Sequence, residues 1–363
     1  MGVLNGGNRV SPVRPLLEPR DALPAVWRRR AEPACADGLL MSVKWGFLST
    51  ANINRLVLAG ARQSDRVDVV AVASRDAARA QEYARANGIE RAYGSYEALL
   101  ADPGIEAVYI SLPNSLHVEW SVRALEAGKH VLCEKPLDRR AAAVERAFDA
   151  AEREGRLLAE AFMFRHNPQT AELKELVERG AIGALEVIRA CFSFTIDNPE
   201  NVRLAADLDG GALMDVGCYC VSGSRLVGGE PERVYGEQVV GPSGVDVRFA
   251  GTMRFPGDVV GQFDCGFDLP SRDELELIGG EGSLFLDDPW HARTPRIELR
   301  RGGTTEEITT GLSDSYRLEL ENMTDAIRGE AEPLLGRADA LGQARTIEAL
   351  YRSAAAGTVV AVR

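Results

Sequence analysis

The stretch Ala-Leu-Glu-Ala-Gly-Lys-His-Val-Leu-Cys-Glu-Lys-Pro at residues 124–136 decides how the fold of this chain is interpreted. The pattern predicts a helix that ends at Gly128 and a short apolar strand through residues 130–132. Glu134 and Lys135 follow that strand directly. In an open α/β sheet, ligands bind at the carboxyl ends of the strands. Because the next residue is a proline, which restricts the residue before it, Lys135 is expected at a fixed place at this edge. On its own, a Glu-Lys-Pro sequence is about as often a loop with a solvated lysine as part of a binding site.

Strands and helices alternate on both sides of this stretch, from Met41 to about residue 160. Strand, helix and strand within about thirty residues make a βαβ unit, so the alternation predicts a parallel, doubly wound sheet. The predicted strands are Val43–Leu48, Val67–Ala73, Ala107–Ser111, His130–Leu132 and Leu157–Glu160. The predicted helices are Asn52–Arg62, Asp76–Asn87, Tyr96–Leu100, Leu116–Ala127 and Ala141–Gly155.

The pattern changes after Arg165. Short strand-like runs joined by Gly, Pro and Asp turns predict a second domain of α+β type with a mainly antiparallel open sheet. A helix at residues 210–226 interrupts these runs, and two late helices are expected to return onto the sheet or the first domain. We therefore predict an N-terminal extension at residues 1–40, a nucleotide-binding domain at 41–163 and a substrate and oligomerisation domain at 164–363.

Composition excludes several kinds of protein. The chain has 363 residues, 26% charged and 45% hydrophobic, with a formal net charge of -12. A negative chain does not offer the broad positive surface that nucleic acid or anionic membranes need. Its six cysteines form no Cys-x-x-Cys pair and its four histidines are scattered, so neither a metal site nor a disulfide framework is predicted. Reduced thiols indicate a cytoplasmic protein.

The first forty residues carry five prolines and the triplet Arg28-Arg29-Arg30 without apolar periodicity. A twin-arginine export signal needs an apolar stretch after the arginines, and residues 31–37 do not supply one. We interpret the segment as disordered or as an extension upstream of a natural start at Met41.

A candidate dinucleotide-binding turn follows the first strand. Ser49, Ala51 and Asn54 occupy the three small positions of the Gly-x-Gly-x-x-Gly fingerprint, with Thr50, Asn52 and Ile53 between them. The chemistry needs a tight turn whose backbone can approach a pyrophosphate at a helix start. The strand, turn and helix context favours a Rossmann-type site, with residues 49–53 as cofactor contacts.

The end of the second strand indicates the cofactor. An NAD enzyme usually places an acidic residue there for the ribose hydroxyls, whereas NADP needs positive charge for the 2′-phosphate. Here the strand is followed by Ser74 and Arg75, whose hydroxyl and guanidinium suit that phosphate. Arg75 is alternatively a surface arginine at a helix start, and Asp76 leaves NAD open.

Residues 124–136 resemble the signature of the Gfo/Idh/MocA family of nicotinamide-dependent sugar oxidoreductases, and residues 111–117 resemble the cofactor-contacting segment of that family. The resemblance implies that Leu112 and Pro113 line the nicotinamide side and that Asn114 and His117 lie near the ribose. Residues 160–165 resemble the crossing between the family's two domains, which would place Arg165 near the cofactor. Glu134 and Lys135 are implied as further cofactor contacts. On their own, Asn114 is equally a helix cap and His117 a satisfied helix-start histidine.

The segment 210–219 contains Asp215 and Tyr219, which lie four residues apart in a predicted helix and therefore on one face. The alternative is that the two have no catalytic role and that the buried tyrosine is hydrogen-bonded to the aspartate only to stabilise the fold. The resemblance implies an acid/base group here, and the tyrosine is similar to the branch containing glucose-fructose oxidoreductase, NADP-dependent xylose dehydrogenase, dihydrodiol dehydrogenase and sugar 3-ketoreductases. A free tyrosine has a pKa near 10, so we expect the Lys135 ammonium to lower it.

The resemblance implies an NADP-dependent oxidoreductase acting on a sugar or cyclic polyol, preferentially at an aldose C1 hydroxyl. Lys135, Asp215 and Tyr219 would be the catalytic residues and substrate contacts, with Arg203 as a weaker substrate candidate. The alternatives are a keto-sugar reductase and a non-catalytic dinucleotide or sugar sensor of the same fold. Alternating apolar residues at 247–253 indicate a sheet face that must be covered, so we predict a homodimer or homotetramer.

Overall fold

The computed structural model of the chain describes residues 42–363, and the predictions for residues 1–40 and for Met41 lie outside them. A six-stranded sheet, parallel throughout, contains the first group of strands in the order β3-β2-β1-β4-β5-β6. These strands are β1 Val43–Leu48, β2 Val67–Ala73, β3 Arg91–Tyr93, β4 Ala107–Ile110, β5 His130–Glu134 and β6 Leu158–Ala161. This confirms the predicted doubly wound sheet. The short β3 was not among the predicted strands.

The strand order reverses at β1, which pairs with β2 on one side and β4 on the other. Leu48, the last residue of β1, is in register with Ala73 of β2 and with Ile110 of β4. The three residues that follow these strand ends are serines, Ser49, Ser74 and Ser111, so they share one edge of the sheet. Ligands bind at such a switch point in open α/β sheets.

Helices cover both faces of this sheet and bury two apolar clusters. They are α1 Asn54–Ala61, α2 Ala77–Asn87, α3 Tyr96–Leu100, α4 His117–Glu126 and α5 Ala141–Glu154. The helix α2 shows how local sequence sets an end: the Asp76 carboxylate accepts from the Arg79 backbone N–H at its start. Gly88 ends it in the left-handed conformation at φ 62°, which glycine adopts without steric cost.

The second sheet has nine strands in the order β14-β13-β12-β11-β7-β10-β9-β8-β15, and its pairs are antiparallel except for β7 with β10. This confirms the mainly antiparallel sheet. The sequence missed β14 and β15. The strands are β7 Leu185–Thr195, β8 Arg233–Val240, β9 Asp246–Arg254, β10 Val260–Gly266, β11 Asp268–Gly279, β12 Gly282–Leu286, β13 Arg296–Arg301, β14 Thr304–Thr309 and β15 Val360–Ala361.

The helices of the second half are α6 Pro168–Glu178, α7 Cys218–Gly228, α8 Ser315–Ile327 and α9 Arg337–Ala356. The long α9 contributes Ala340 and Ala344 to a core cluster of the parallel sheet and Ile347 and Leu350 to the core of the second sheet. One helix therefore stabilises both cores. None of the helices in the described part of the chain is long and apolar enough to cross a membrane.

The apolar face of β9 is covered by residues of the same chain. This corrects the argument that the face needs a partner subunit to cover it. Phe249 and Met253 are 2% and 0% exposed and belong to the core that α9 closes. Gly251 lies against Phe263 and Leu350, and only Val247 is half-exposed. The opposite face of the strand carries exposed polar and small residues instead: Arg248, Ala250 and Thr252. This alternation therefore does not by itself call for a partner subunit.

Candidate active site

One large cleft, of about 920 Å³, lies at the carboxyl edge of the parallel sheet and is also lined from the second sheet. Its lining includes almost every predicted site residue. These are Ser49, Thr50, Ala51, Asn52, Ile53, Ser74, Arg75, Leu112, Pro113, Asn114, His117, Glu134, Lys135, Arg203, Asp215 and Tyr219. The fold thus brings together residues that lie up to 170 positions apart (219 minus 49) in the sequence.

The turn after β1 is held by side-chain hydrogen bonds where a dinucleotide fingerprint has its first glycine. Ser49 has φ 139°, a conformation that an L-residue adopts at a steric cost. Its hydroxyl lies 2.7 Å from Ser111 Oγ and accepts from the Ala51 backbone N–H at 3.1 Å. Asn54 donates from Nδ2 to the Ser49 carbonyl and accepts from Ser111 Oγ at 2.6 Å. A buried polar network thus replaces the conformational freedom of glycine.

The end of β2 carries two guanidinium groups at the cleft, from Arg75 and Arg79. Asp76, the residue that left NAD open, uses its carboxylate to cap α2 by accepting from the Arg79 N–H at 3.1 Å. The Ser74 hydroxyl accepts from the Asp76 N–H at 3.3 Å. A helix start and two cations at one place favour a bound anion. Sequence reasoning missed Arg79, although its position one helical turn after Arg75 on α2 was a usable signal.

The segment after β4 lines the cleft, but two of its side chains are engaged elsewhere. His117 is buried, with Nδ1 2.9 Å from the Pro136 carbonyl oxygen and Nε2 2.7 Å from that of Leu112. Burial lowers the pKa of His117. It therefore ties this segment to the Lys135–Pro136 turn, as the bland interpretation held. Asn114 does not cap the helix; its Nδ2 donates to the Asp209 carbonyl at 2.9 Å.

Three charged side chains, from Lys135, Asp215 and Arg203, meet in the part of the cleft where the nicotinamide is expected. Lys135 Nζ donates to the Asp215 backbone carbonyl at 2.7 Å and lies 3.2 Å from Asp215 Oδ1. Arg203 Nε lies 2.6 Å from the other oxygen, Oδ2. Burial alone would raise the pKa of Asp215, but the two cations hold it below its ordinary value. Burial alone would lower the pKa of Lys135, but the Asp215 carboxylate raises it. Both groups are therefore charged near neutral pH.

Asp215 belongs to a π-helical turn, Leu213–Gly217, and α7 begins only at Cys218. The sequence predicted a single continuous helix through residues 210–226. Within this turn, the backbone carbonyl of Asp215 accepts from Lys135 Nζ. Such turns often occur at functional sites.

Tyr219 lies beside this charge cluster inside a group of aromatic rings. Its ring makes edge contacts with Phe162 and Phe192, with centroids 5.6 and 5.5 Å apart. The hydroxyl donates weakly to Met163 Sδ at 3.9 Å. Burial raises the pKa of Tyr219 well above its ordinary value, with nearby Tyr316 and Glu134 acting in the same direction. Burial therefore outweighs the lowering effect expected from the Lys135 ammonium.

Glu134, the last residue of β5, also lines the cleft. Its carboxylate accepts a hydrogen bond from the hydroxyl of buried Tyr109. Burial raises the pKa of Glu134, and the Lys135 ammonium acts against this. Tyr316, from the start of α8, lines the cleft here as well and was not predicted.

Arg165 does not line the cleft, which corrects its predicted contact with the cofactor. Its side chain is buried, and one guanidinium nitrogen donates to Ser222 Oγ at 3.2 Å and to Asp339 Oδ1 at 3.3 Å. These partners lie on α7 and α9, so Arg165 joins the two helices. Glu160, from the same segment of the chain, contacts the turn after Lys135: its Oε1 accepts from the Leu137 backbone N–H at 2.7 Å.

The second sheet contributes a far end to the cleft that sequence reasoning missed. Phe192 and Phe194 come from β7, and Ser271, Asp273, His291 and Arg293 come from β11 and the loop after β12. The alternation of the two phenylalanines on β7 was visible in the sequence. Ser271 and Asp273 lie on β11, near a shift in its register, and His291 and Arg293 lie on the loop after β12. Only the tertiary structure shows that these segments reach the cleft.

Two family models match the chain. One, described as an oxidoreductase family with an NAD-binding Rossmann fold, matches residues 43–162. The other, described as the GFO/IDH/MocA C-terminal domain, matches residues 170–285.

Several characterised proteins are similar over most of the chain. A D-xylose 1-dehydrogenase (NADP(+)) of Haloferax volcanii is 39% identical over 323 residues, covering 87% of this chain and 98% of that protein. A trans-1,2-dihydrobenzene-1,2-diol dehydrogenase of Danio rerio is 33% identical, covering 73% and 80%. The crystal structure of a 3-ketoreductase from Actinomadura kijaniata with NADP and TDP-benzene has a TM-score of 0.82 at 30% identity, covering 86% and 98%.

Proposed function

This chain belongs to the Gfo/Idh/MocA family of oxidoreductases, and we propose from that premise that it is an NADP-dependent dehydrogenase of a sugar or cyclic polyol. The preferred reaction is oxidation of an aldose at the C1 hydroxyl. That the chain is an enzyme, and not a silent sensor, agrees with relatives named as dehydrogenases and reductases. The nicotinamide ring accepts or donates the hydride when the cofactor is bound.

The described residues fit NADP. The turn at Ser49 and the start of α1 lie at the switch point of the sheet, where a pyrophosphate is bound in this type of fold. Arg75 and Arg79 supply positive charge at the end of β2, and the Asp76 carboxylate is committed to the cap of α2. The NADP in one related structure and the NADP(+) in the name of one relative support the same choice.

Tyr219 is the proposed proton carrier, and Lys135 and Asp215 position it and the substrate. Oxidation of a carbinol needs a group that takes the proton from its oxygen. The ammonium of Lys135 lies 4.9 Å from the centroid of the Tyr219 ring, so it stabilises negative charge that develops on the phenol. The Asp215 carboxylate holds this ammonium in place and accepts from a substrate hydroxyl, with Arg203 fixing its other oxygen.

The observation that carries the proposal is the ion cluster of Lys135, Asp215 and Arg203 beside Tyr219, at the cleft where the strands of the parallel sheet end. The test is NADPH formation, followed by absorbance, with a panel of aldoses, polyols and keto-sugars at saturating NADP. We expect one or more aldoses to be oxidised. Binding of NADP without turnover of any compound in the panel would contradict the proposal.

Keto-sugar reduction is the second candidate, and one observation favours it. Burial raises the pKa of Tyr219 and so favours the protonated phenol, which is the form that donates a proton when a carbonyl is reduced. A related structure is named as a 3-ketoreductase. The same panel, run with NADPH and keto-sugars, distinguishes the two directions by their kcat/KM values.

We also propose the homodimer or homotetramer and the cytoplasmic location that the sequence indicated. With the β9 alternation buried, support for association rests on the outward face of the second sheet, where paired charges such as Arg189 with Glu276 lie partly exposed. Sedimentation at micromolar concentration tests it, and a monomer alone would contradict it.

A further inference from the structure

A polar patch lies at the far end of the cleft, beyond Tyr219. His291 Nδ1 lies 2.9 Å from Asp273 Oδ2, and both residues line the cleft. A carboxylate accepts, so Nδ1 carries the hydrogen. Nε2 of His291 then has no protein partner within the part of the chain that the structure describes. The pair thus presents the imidazole Nε2 for a ligand, together with Asp273 Oδ1, which also accepts from the Trp290 backbone N–H at 3.5 Å.

The patch is held in place from behind by Asp288 and Arg293. Asp288 is buried and accepts from the Arg293 backbone N–H at 2.5 Å and from its guanidinium at 2.9 Å. A second contact joins that guanidinium to Asp273 Oδ2 at 3.4 Å. Asp273, Asp288 and His291 lie close enough to suit a metal ion, with ligand atoms within 4.8 Å. The guanidinium, however, already bonds both carboxylates, so it provides the positive charge here.

The charge of the patch indicates the chemistry of its ligand. Its two carboxylates outnumber the single Arg293 guanidinium, and a protonated His291 would bring the sum only to neutral. A phosphate or diphosphate group would meet uncompensated negative charge, and the one guanidinium is already paired. Neutral hydroxyls, which donate to a carboxylate and exchange hydrogen bonds with an imidazole, fit it instead.

A single aromatic ring separates the patch from the reaction end. Phe192 makes an edge contact with Tyr219 at 5.5 Å and with the ring of His291 at 5.7 Å, and all three line the cleft. Phe192 and Phe194 thus provide an apolar wall between two polar ends. A ligand pocket with few polar groups placed on apolar walls orients its ligand by those groups.

We propose that His291 and Asp273 are specificity-determining residues that bind a hydroxyl at the end of a neutral sugar remote from the reacting carbon. The inference rests on the proposed function and deepens it. It assigns the substrate to free sugars, and it makes sugar nucleotides poor substrates, because their diphosphate would have to extend past the acidic patch.

The test compares His291→Ala and Asp273→Asn with wild type on the best aldose and on its deoxy derivatives, each lacking one hydroxyl. For the parent sugar we expect kcat/KM to fall by about ten- to a hundredfold in each variant. For the one derivative that lacks the contacted hydroxyl, wild type and variants should have equal kcat/KM. Equal losses on every sugar, or no loss on any, would overturn the proposal.

Asp287→Asn is the matched control, because Asp287 is exposed, pairs with Arg296 outside the cleft and loses the same charge. It should leave kcat/KM unchanged for every sugar. Retained NADP binding shows that His291→Ala has folded. Competition by dTDP against the sugar, abolished in Arg293→Ala, would contradict the preference for neutral ligands.

Sugar binding measured by calorimetry on the NADP-saturated protein separates this proposal from the proposed function. If no compound is turned over but a sugar binds and His291→Ala weakens it, the function fails and the inference stands. If sugars are turned over but His291→Ala binds them as wild type does, the inference fails alone. Absence of any sugar binding overturns both.

Discussion

Lys135 lies over the face of the Tyr219 ring, with its ammonium 4.9 Å from the ring centroid, and the hydrogen bonds of that ammonium go to Asp215. The tyrosine hydroxyl points towards Met163 Sδ instead. The Lys135 ammonium and the Tyr219 phenol are therefore neighbours, but no hydrogen bond joins them directly. Burial has the largest effect on the pKa of the Tyr219 phenol and raises it.

Tyr219→Phe should lower kcat by about 10²–10⁴, because it removes only the proton-transfer group. The ring contacts with Phe162 and Phe192 persist, so folding and NADP binding should be unchanged. Steady-state kinetics and a cofactor titration measure both. Near-normal turnover would make Tyr219 a packing residue and leave water as the proton carrier.

The pH profile provides the control for this assignment. Oxidation needs the phenolate, so with a raised pKa its kcat/KM should still be increasing at about pH 9. Reduction needs the phenol and should be level through neutral pH. The alkaline limb should disappear in Tyr219→Phe; a limb that is complete below about pH 8 would show that the bound state lowers this pKa instead.

Lys135→Ala should lower kcat more than Tyr219→Phe does, because it removes the cation beside the phenol and also a hydrogen-bond donor to Asp215. Lys135→Arg keeps the charge but not its position, since a planar guanidinium differs from a compact ammonium. We expect intermediate activity from it. Equal kcat for Lys135→Arg and wild type would argue that charge alone matters.

Arg75→Ala and Arg79→Ala should each weaken NADP binding by about tenfold and leave NAD binding nearly unchanged. The reason is that both guanidiniums line the cleft at the end of β2, where the 2′-phosphate is expected. Arg85→Ala, in the last turn of the same helix, is the matched control. Equal loss of NADP and NAD binding would indicate that the arginine stacks on adenine or supports the fold.

Ser49→Ala should lower the free energy of unfolding by about 1–3 kcal/mol, because the strained φ persists while the buried Ser111 hydroxyl loses a partner. Ser49→Gly loses the same hydrogen bonds but relieves the strain, so it should be the milder change. Urea denaturation of both variants measures the difference. If alanine were the better tolerated of the two, the strain at this turn would not be real.

Glu160→Gln should flatten the dependence of stability on pH. Burial raises the pKa of Glu160 to about 8. The native state then holds a proton that the unfolded chain releases near pH 4, so this group's contribution to stability is lost as pH rises from about 4.5 to about 8. The glutamine variant, neutral throughout, should be more stable than wild type at about pH 8 and similar at about pH 4. Urea midpoints at both values measure this, and an unchanged slope would contradict it.

Local patterns were enough for the order of elements and for the strand-end residues. Ser49, Ser74 and Lys135 follow buried strands of a parallel sheet, and in such a sheet residues after the strand ends must share an edge. The resemblance also implied that Lys135, Asp215 and Tyr219 share one site, but not that the lysine pairs with the aspartate. In the structure, Lys135 Nζ lies 3.2 Å from Asp215 Oδ1.

Other features depended on three-dimensional packing. The contacts of Arg165 and the cover over the apolar face of β9 were not predicted. A sequence shows which side chains favour burial or a charged partner, but not which distant helix provides it. Asp339 lies 174 residues from Arg165, and Leu350 closes over Gly251. The protonation of Tyr219 was missed for the same reason, since desolvation depends on the aromatic rings packed around it.

The sequence by itself determined the doubly wound sheet, the switch-point edge and the groups that follow its strands, because strand period, helix caps and turn residues act over short distances. Only the tertiary structure decided which side chains reach the cleft, which carry charge there, and that His291, Asp273 and Arg293 form its far end. The reason is that burial and electrostatic partners come from segments distant along the chain, and these set both the pKa of Tyr219 and the shape of the site.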